Sequence, residues 1–358
     1  MKISTFVITC LALVTSLAIG TGQPASSPPT TTDAVTARAV EAAKAFLAML
    51  SDAERGKATF AFTSSQRTGW SNLPSGIYQR NGLRLGDLTS RQRAAALALV
   101  AAVVSRPGYQ KIIDIMNGDE VLKNAGGGRT GGRPGRGAPG GRNGPGGIRF
   151  GLDEYYIALL GTPSPSTPWM IQFGGHHLAI NVTIVGSHNV MTPSLPAAQP
   201  AKYTLNGQTV RPLGNENDKG FALINALDAA QQKQAILNYQ VSDLVLGPGA
   251  DGKVIQPEGI LASRLNASQQ ALLLDVVHEW VGILNDEAAA AKMTEIKANL
   301  PRTYFAWSGA TTNGGLAYYR IQGPTLVIEY APQQGDLDHI HTIYRDPTND
   351  YGAKLVTP

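Results

Sequence analysis

Two kinds of hydrophobic spacing divide the chain, and they predict helices in its first and middle parts and strands towards its end. From residue 34 to 58, small and apolar side chains recur every three or four positions, at Val35, Ala39, Ala42, Ala43, Phe46 and Leu50. This is the period of a helix face. A second helix is expected after Thr89, because Thr89 and Gln92 have capping-box spacing. Similar patterns predict helical blocks over residues 217–238 and 266–300.

Strand patterns dominate two other parts of the chain. Residues 170–185, MIQFGGHHLAINVTIV, are rich in β-branched side chains and are predicted to form a strand. After residue 302, four short runs separated by turn residues predict an antiparallel meander: TYFAWSGA, GLAYYRIQG, TLVIEYAP and DHIHTIYRD. We therefore predict a single α+β domain over residues 34–358, with helical N-terminal and middle segments around a mostly antiparallel sheet.

The N-terminal residues have the pattern of a secretory signal peptide, which we assign to residues 1–22. Lys2 precedes an apolar run at 6–20, which is shorter than the about 20 residues of a membrane span. Residues 23–33 are rich in Pro, Ser and Thr and are predicted to be a disordered linker. We expect an exported protein, periplasmic or extracellular, with no membrane span after cleavage. Cys10 is the only cysteine, so the mature chain would have no disulfide or thiolate site.

The positive charge of the chain is concentrated in one segment. Residues 126–147 are rich in Gly and Pro and carry four arginines without an acidic residue, while the net charge of the whole chain is +4. The rest of the chain is therefore close to neutral, and we predict a disordered insert within the domain. Because the insert has no aromatic residue to stack on bases, we expect no nucleic-acid partner.

Four of the six histidines fall in two short clusters. In the predicted strand DHIHTIY, His339 and His341 point to the same face, so they can share one metal ion. His176 and His177 lie at the start of another predicted strand, after two glycines that permit a bend bringing both rings inward. We expect the two clusters to meet in one pocket.

Glu329, on the strand before His339, is the expected carboxylate companion of the histidines. Two or three imidazoles with one carboxylate suit zinc with an open position for water, and copper or iron are alternatives. His176, His177, His339 and His341 are the candidate metal ligands, with Glu329 and His177 as candidate catalytic groups. A metal-free acid–base site and a structural polar network remain alternatives.

Three further residues are candidates for substrate binding. Arg320 and Arg345 lie in the predicted meander, where a guanidinium can hold a carboxylate with two hydrogen bonds. For Arg345 the competing interpretation is a structural ion pair with Asp346 or Asp350 across the turn. Trp307 is a candidate for the pocket wall, although tryptophan is more often a core residue.

Several segments together resemble the exported protein family catalogued as domain of unknown function 3500. The likeness covers roughly residues 36–355, and it rests on FLAMLSDAERGKATFAF, RTGWSNLP, GLRLGDLTSRQRAAALALV, YYIALLGTPS, PWMIQFGGHHLAINVTIVG, PSLPAAQPAKY and DHIHTIYRDPTNDYG. The resemblance implies one domain and places both histidine clusters in one protein type. It implies no activity, and the Gly/Arg-rich insert departs from it.

The leading hypothesis from the sequence is an exported metal-dependent hydrolase that acts on a small or anionic ester, lactone or amide. The alternatives are a non-catalytic metal- or ligand-binding protein that uses the same pocket, and a structural envelope protein with a histidine network in its core. The expected partner is a small molecule.

Overall fold

Nine α-helices and three β-sheets form a single α+β domain in the computed structural model, which describes residues 31–126 and 147–356. The helices are α1 (Thr31–Ala48), α2 (Asp52–Ala58), α3 (Ser90–Val103), α4 (Arg106–Asn124), α5 (Gly214–Ala226), α6 (Ala229–Ala235), α7 (Ala267–Val281), α8 (Asp286–Asn299) and α9 (Ala353–Val356). None of the helices in these described ranges is long and apolar enough to cross a membrane. The predicted signal peptide, most of the linker and nearly all of the insert lie outside the described residues.

The first sheet has seven strands. They are β1 (Thr59–Phe60), β2 (Leu83–Arg84), β3 (Tyr156–Leu160), β4 (Trp169–Gly175), β5 (Leu178–Val185), β6 (His188–Val190) and β7 (Leu195–Pro196). Its main path runs β1-β3-β4-β5-β6, with β2 beside β3 and β7 beside β5. The β1–β3 pair is parallel, and the other pairs in this sheet are antiparallel.

The second sheet is the C-terminal meander, extended at one edge by a short strand. Its strands are β10 (Ile260–Leu261), β11 (Tyr304–Gly309), β12 (Ala317–Gly323), β13 (Leu326–Pro332) and β14 (Ile340–Arg345), paired in that order and all antiparallel. The meander predicted from the sequence is thereby confirmed. A separate hairpin consists of β8 (Tyr203–Leu205) and β9 (Gln208–Val210).

Helix caps explain why three predicted helical blocks are each divided in two. Thr89 and Gln92 form the predicted capping box at the start of α3. Ser51 caps α2, Asp228 caps α6 and Asn285 caps α8, each accepting a hydrogen bond from a backbone N–H of the first turn. Each cap contributes about 1 kcal/mol and fixes a helix start, so residues 34–58, 217–238 and 266–300 are not single helices. The first helix also begins at Thr31, inside the predicted linker.

The predicted strand at 170–185 is a β-hairpin instead. Gly175 of β4 pairs with Leu178 of β5, so His176 and His177 form a two-residue turn between the strands. His177 has a φ of 61°, in the left-handed region where histidine is found more often than most residues. The sequence interpretation was wrong here because it took 170–185 as one run, although the apolar positions change from odd numbers (Ile171, Phe173) to even numbers (Leu178, Ile180) across the turn.

The segment 194–198 joins the two sheets. On one side its β7 residues pair with the start of β5, where Leu178 lies opposite Pro196. On the other side Ser194 and Ala198 exchange backbone hydrogen bonds with Tyr344 and Ile340 of β14. The end of the β4–β5 hairpin and the start of β14 are thereby held side by side, although they are far apart in the sequence.

An aromatic core lies on one face of the second sheet. Tyr319 stacks between Trp307 and Tyr330, with ring centroids 5.8 and 5.0 Å apart, and Trp280 of α7 donates a hydrogen bond to Thr342 Oγ1 over 2.9 Å. Truncation of a large buried side chain of this kind lowers the free energy of unfolding by several kcal/mol. This face is covered by helices, so polar chemistry in the sheet is confined to its other face.

Candidate metal centre

Three imidazole rings, from His177, His339 and His341, converge at one point. Nε2 of His339 lies 2.8 Å from Nε2 of His177 and 3.0 Å from Nε2 of His341. One ligand atom from each of the three rings lies within 4.8 Å of the other two. The structure therefore brings together one residue of the first predicted histidine cluster and both residues of the second.

The backbone around each histidine directs its ring to this point. His341 lies in β14 and His339 directly precedes that strand, and the two rings project from the same side with Ile340 between them, as predicted. His177 projects from the turn of the β4–β5 hairpin, where its N–H donates to Asn72 O and its carbonyl accepts from Ala197 N. Those two hydrogen bonds hold the residue in a left-handed conformation that costs roughly 1–2 kcal/mol.

The ring nitrogens that approach one another carry fewer protons than hydrogen bonds between all of them would need. Nδ1 of His341 lies 3.0 Å from Asp243 Oδ1 and donates to it, so Nε2 of a neutral His341 carries a lone pair. His339 Nε2 can place one proton towards either neighbour, whereas two nitrogens approach it within 3.0 Å. Lone pairs converging in this way repel each other unless a cation lies between them.

The pKa values of the rings favour the neutral form that binds metals. Burial, with the neighbouring imidazoles, holds the pKa of His177 well below its ordinary value. Burial and the nearby His341 lower the pKa of His339 to about 3. Both rings are therefore uncharged at neutral pH, with their lone pairs available.

The donor set fits a zinc-type ion. Bonds of about 2.0–2.1 Å in a tetrahedral arrangement separate the ligand nitrogens by about 3.4 Å, and the observed spacings of 2.8 and 3.0 Å need only small ring movements to reach this. Three nitrogen ligands leave a fourth position for water or another ligand. His177 and His341 are 2% and 7% exposed, while His339 is partly exposed, so solvent reaches the site on the His339 side.

His176 lies beside this group and not in it. Its ring stacks on His177 with centroids 3.6 Å apart, and its Nδ1 lies 2.6 Å from the buried carboxylate of Asp119. The two ring planes are inclined by 29°, so the rings lie face to face and do not point to a common centre. His176 therefore packs against the ring of His177. Of the four histidines predicted as metal ligands, three converge.

Glu329 is also placed elsewhere. Its carboxylate is fully buried and accepts hydrogen bonds from Tyr318 Oη, Leu246 N and Val245 N, at 2.6, 2.8 and 3.2 Å. These donors belong to β12 and to residues 237–259, a segment without helix or strand that we call the covering loop. Glu329 thus binds loop backbone and is not among the three residues that converge.

The two predicted substrate-binding arginines hold the same loop. Arg345 donates to Leu246 O and Gly247 O and pairs with Asp251 and Asp350, which includes one of the ion pairs considered from the sequence. Arg320 pairs with Glu258 over 2.7 Å. Both guanidinium groups are engaged by protein, because the polar face of the second sheet needs partners for its buried side chains.

Trp307 is a core residue and lies apart from the three converging histidines. Its indole is fully buried against Phe221 and Tyr319, and its Nε1 donates to Ala310 O over 3.1 Å. It lies on β11, on the aromatic face of the second sheet that the helices cover.

Sequence reasoning missed three polar residues around the rings. Asp243, in the covering loop, orients His341; Asp119, on α4, orients His176; and Asn72 places its Nδ2 3.4 Å from His341 Nε2. A carboxylate on the far nitrogen of a ligating histidine is a common feature of metal sites. No local pattern marks these residues, because each reaches the site from a separate element.

Comparisons with known proteins identify the family and no function. No curated protein and no solved structure matches the chain. A family model described as "Protein of unknown function (DUF3500)" matches residues 32–353, nearly the whole length. The protein therefore belongs to the DUF3500 family, as the resemblance in its sequence indicated.

Proposed function

We propose that this protein binds one divalent transition metal ion, zinc in the first instance, through His177, His339 and His341, and acts as an exported metal-dependent hydrolase. The observation that carries the proposal is the convergence of three ring nitrogens, two from buried rings and one from a partly exposed ring, with too few protons to satisfy one another. Copper and iron also accept imidazole ligands and are the alternative metals.

The open fourth position supports a hydrolytic rather than a purely structural role. Structural zinc sites are normally closed by four protein ligands, whereas catalytic sites keep three ligands and a water molecule. Zinc lowers the pKa of such a water to about 7, which makes it a nucleophile at neutral pH. The Asp243–His341 pair would raise the basicity of one ligand and fix its orientation.

The substrate class narrows when the arginines are taken into account. The expectation of an anionic substrate depended on Arg320 and Arg345, and both are paired with acidic residues. A small neutral ester, lactone or amide is consequently the better supported substrate.

A second candidate function is metal binding without catalysis. It is favoured by the near-complete burial of two of the three rings and by the engagement of Glu329, Arg320 and Arg345 with the covering loop. With those groups occupied, none of the predicted charged residues is free to act on a substrate. This alternative uses the same three ligands and differs only in turnover.

The test begins with protein purified from culture medium or periplasm without a histidine tag. We expect about one equivalent of metal by mass spectrometry, and loss of that metal in His339→Ala and His341→Ala with an unchanged circular dichroism spectrum. His188→Ala is the matched control, since His188 is exposed on β6. Wild-type protein without metal after incubation with zinc would refute the proposal.

Turnover separates the two functions. Hydrolysis of a small ester or lactone by the zinc form, absent in His341→Ala and after chelation, supports the hydrolase. A full equivalent of metal without hydrolysis across neutral esters, lactones and amides would support the non-catalytic metal-binding protein instead.

A further inference from the structure

Asn72 touches both elements that supply the histidines. It is 9% exposed, its carbonyl accepts the N–H of His177 over 3.0 Å, and its side-chain Nδ2 lies 3.4 Å from Nε2 of His341. A polar side chain is thereby placed at the metal centre without being one of the three converging nitrogens.

Buried Arg80 fixes this position. Its Nη2 donates to Ser71 O and Leu73 O, on both sides of Asn72, and to Gly175 O at the base of the histidine turn, at 2.7, 2.5 and 2.8 Å. Arg80 is 8% exposed, and burial lowers the pKa of its guanidinium. Burying a guanidinium costs desolvation free energy unless its N–H groups are hydrogen-bonded. Arg80 meets this need with carbonyl groups of both segments, and it thereby holds the segment carrying Asn72 against the histidine hairpin.

The hydrogen-bond pattern sets the orientation of the amide. His341 Nδ1 donates to Asp243, which leaves a lone pair on Nε2 facing Asn72. The amide NH₂ of Asn72 is attracted to that lone pair, whereas the amide oxygen would be repelled by it. The amide is therefore oriented with its NH₂ towards His341. When a metal ion takes the lone pair, the Asn72 N–H loses its acceptor and remains beside the metal.

We propose that Asn72 donates a hydrogen bond to the ligand in the fourth metal position, whether a water molecule, a carbonyl oxygen or a small anion. This inference rests on the proposed metal centre. Asn72 is then a ligand-binding residue that stabilises negative charge on the atom bound opposite the three imidazoles. The same placement of a neutral donor suits an oxygen that gains charge during ester or lactone hydrolysis.

The test uses the cobalt form, whose visible absorption reports the number of ligands, with azide as the probe for the fourth position. We expect wild-type protein to bind cobalt and to change its spectrum with azide. Asn72→Ala should keep its cobalt affinity and bind azide about tenfold more weakly, as expected for loss of one hydrogen bond to a charged group. Asn81→Ala is the control, since the Asn81 amide bonds Gln66 and not the histidines.

A second variant, nearly identical in shape to the wild type, gives a result even if the alanine variant does not fold. Asn72→Asp supplies a carboxylate that can become the fourth ligand, so we expect tighter cobalt binding and no spectral response to azide.

The outcomes separate this inference from the metal centre itself. Failure of the wild-type protein to bind cobalt refutes the proposed function and the inference with it. Cobalt binding with equal azide affinity in wild type and Asn72→Ala overturns the inference alone. It is also overturned if Asn72→Ala keeps the wild-type circular dichroism spectrum but loses cobalt, if Asn72→Asp responds to azide as the wild type does, or if azide never changes the wild-type spectrum.

Discussion

At the scale of single residues, His177 combines a costly backbone conformation with a place among three converging rings. The residue has a φ of 61°, and both its N–H and its carbonyl are bound by other segments. Non-glycine residues in this region persist where the surrounding structure fixes them, and they are frequent at functional sites. The ring is directed to the rings of His339 and His341 because the backbone is held in this conformation.

Replacement of His177 separates the backbone from the ring. His177→Gly and His177→Ala should both lose the metal, since each removes one of three ligands. In the presence of a chelator, the glycine variant should be more stable than the alanine variant by about 1 kcal/mol, because glycine adopts positive φ without a steric penalty. Urea denaturation of both variants measures the difference, and greater stability of the alanine variant would contradict the assignment of strain.

At the scale of elements, the covering loop explains why so many polar residues lie on one face of the second sheet. Glu329 binds the backbone of Val245 and Leu246, and Arg345 binds Leu246 and Gly247. Asp243, which orients His341, lies in the same loop. A segment without regular structure has unpaired backbone groups that must be satisfied, and charged side chains of the sheet satisfy them.

Truncation of Glu329 tests this role. Glu329→Ala should reduce the free energy of unfolding by about 2–4 kcal/mol, because two backbone donors and the Tyr318 hydroxyl lose their common acceptor. The covering loop should then become sensitive to limited proteolysis between residues 237 and 259, whereas Glu41→Ala, at an exposed site on α1, should not change it. An intact, protected loop combined with loss of hydrolysis would instead restore Glu329 as a catalytic residue.

A second element-scale prediction concerns pH. Burial alone would raise the pKa of Glu154, but hydrogen bonds from Arg84 at 2.6 and 3.0 Å outweigh it, and the pKa lies below its ordinary value of 4.5. The ionised carboxylate therefore contributes stability above about pH 4.5, and that contribution is lost as pH falls through the lowered pKa.

Glu154→Gln should accordingly be less stable than wild type by about 1–3 kcal/mol at pH 7, with the difference vanishing in acid. Urea denaturation between pH 7 and 3 gives the comparison, with Glu41→Gln as control. A difference that does not change with pH would mean that shape, and not charge, is responsible.

At the scale of the whole molecule, the candidate metal centre lies where the two sheets meet. His177 lies in the turn of the β4–β5 hairpin of the first sheet, while His341 lies on β14 of the second sheet and His339 directly precedes that strand. Segment 194–198 already holds these parts together through backbone hydrogen bonds. A bound ion would add a link between the same two parts.

Metal binding should therefore raise the stability of the whole domain. Zinc at about a thousandfold excess over its dissociation constant stabilises the folded state by about 4 kcal/mol, so the melting temperature should rise by several degrees. Calorimetry with and without chelator measures the rise. The increase should disappear in His341→Ala, and its persistence there would place the zinc at another site.

Local patterns were sufficient for much of the architecture. The capping box of Thr89 and Gln92, the four strands of the meander and the common direction of His339 and His341 all depend on residues a few positions apart. Hydrogen bonding and side-chain alternation at this range are encoded in neighbouring residues. The family, too, was recognisable from short segments in order.

The sequence by itself determined the α+β class, the meander and the histidines to examine. Only the tertiary structure decided that His177 joins the centre while His176 stands behind it, that Glu329, Arg320 and Arg345 hold a loop, and that Asn72 and Asp243 face the rings. These roles depend on which distant backbone groups need partners and on the register of segment 194–198 between the sheets. Neither is contained in the spacing of neighbouring residues, because a buried polar group is assigned its partner by packing across the whole chain.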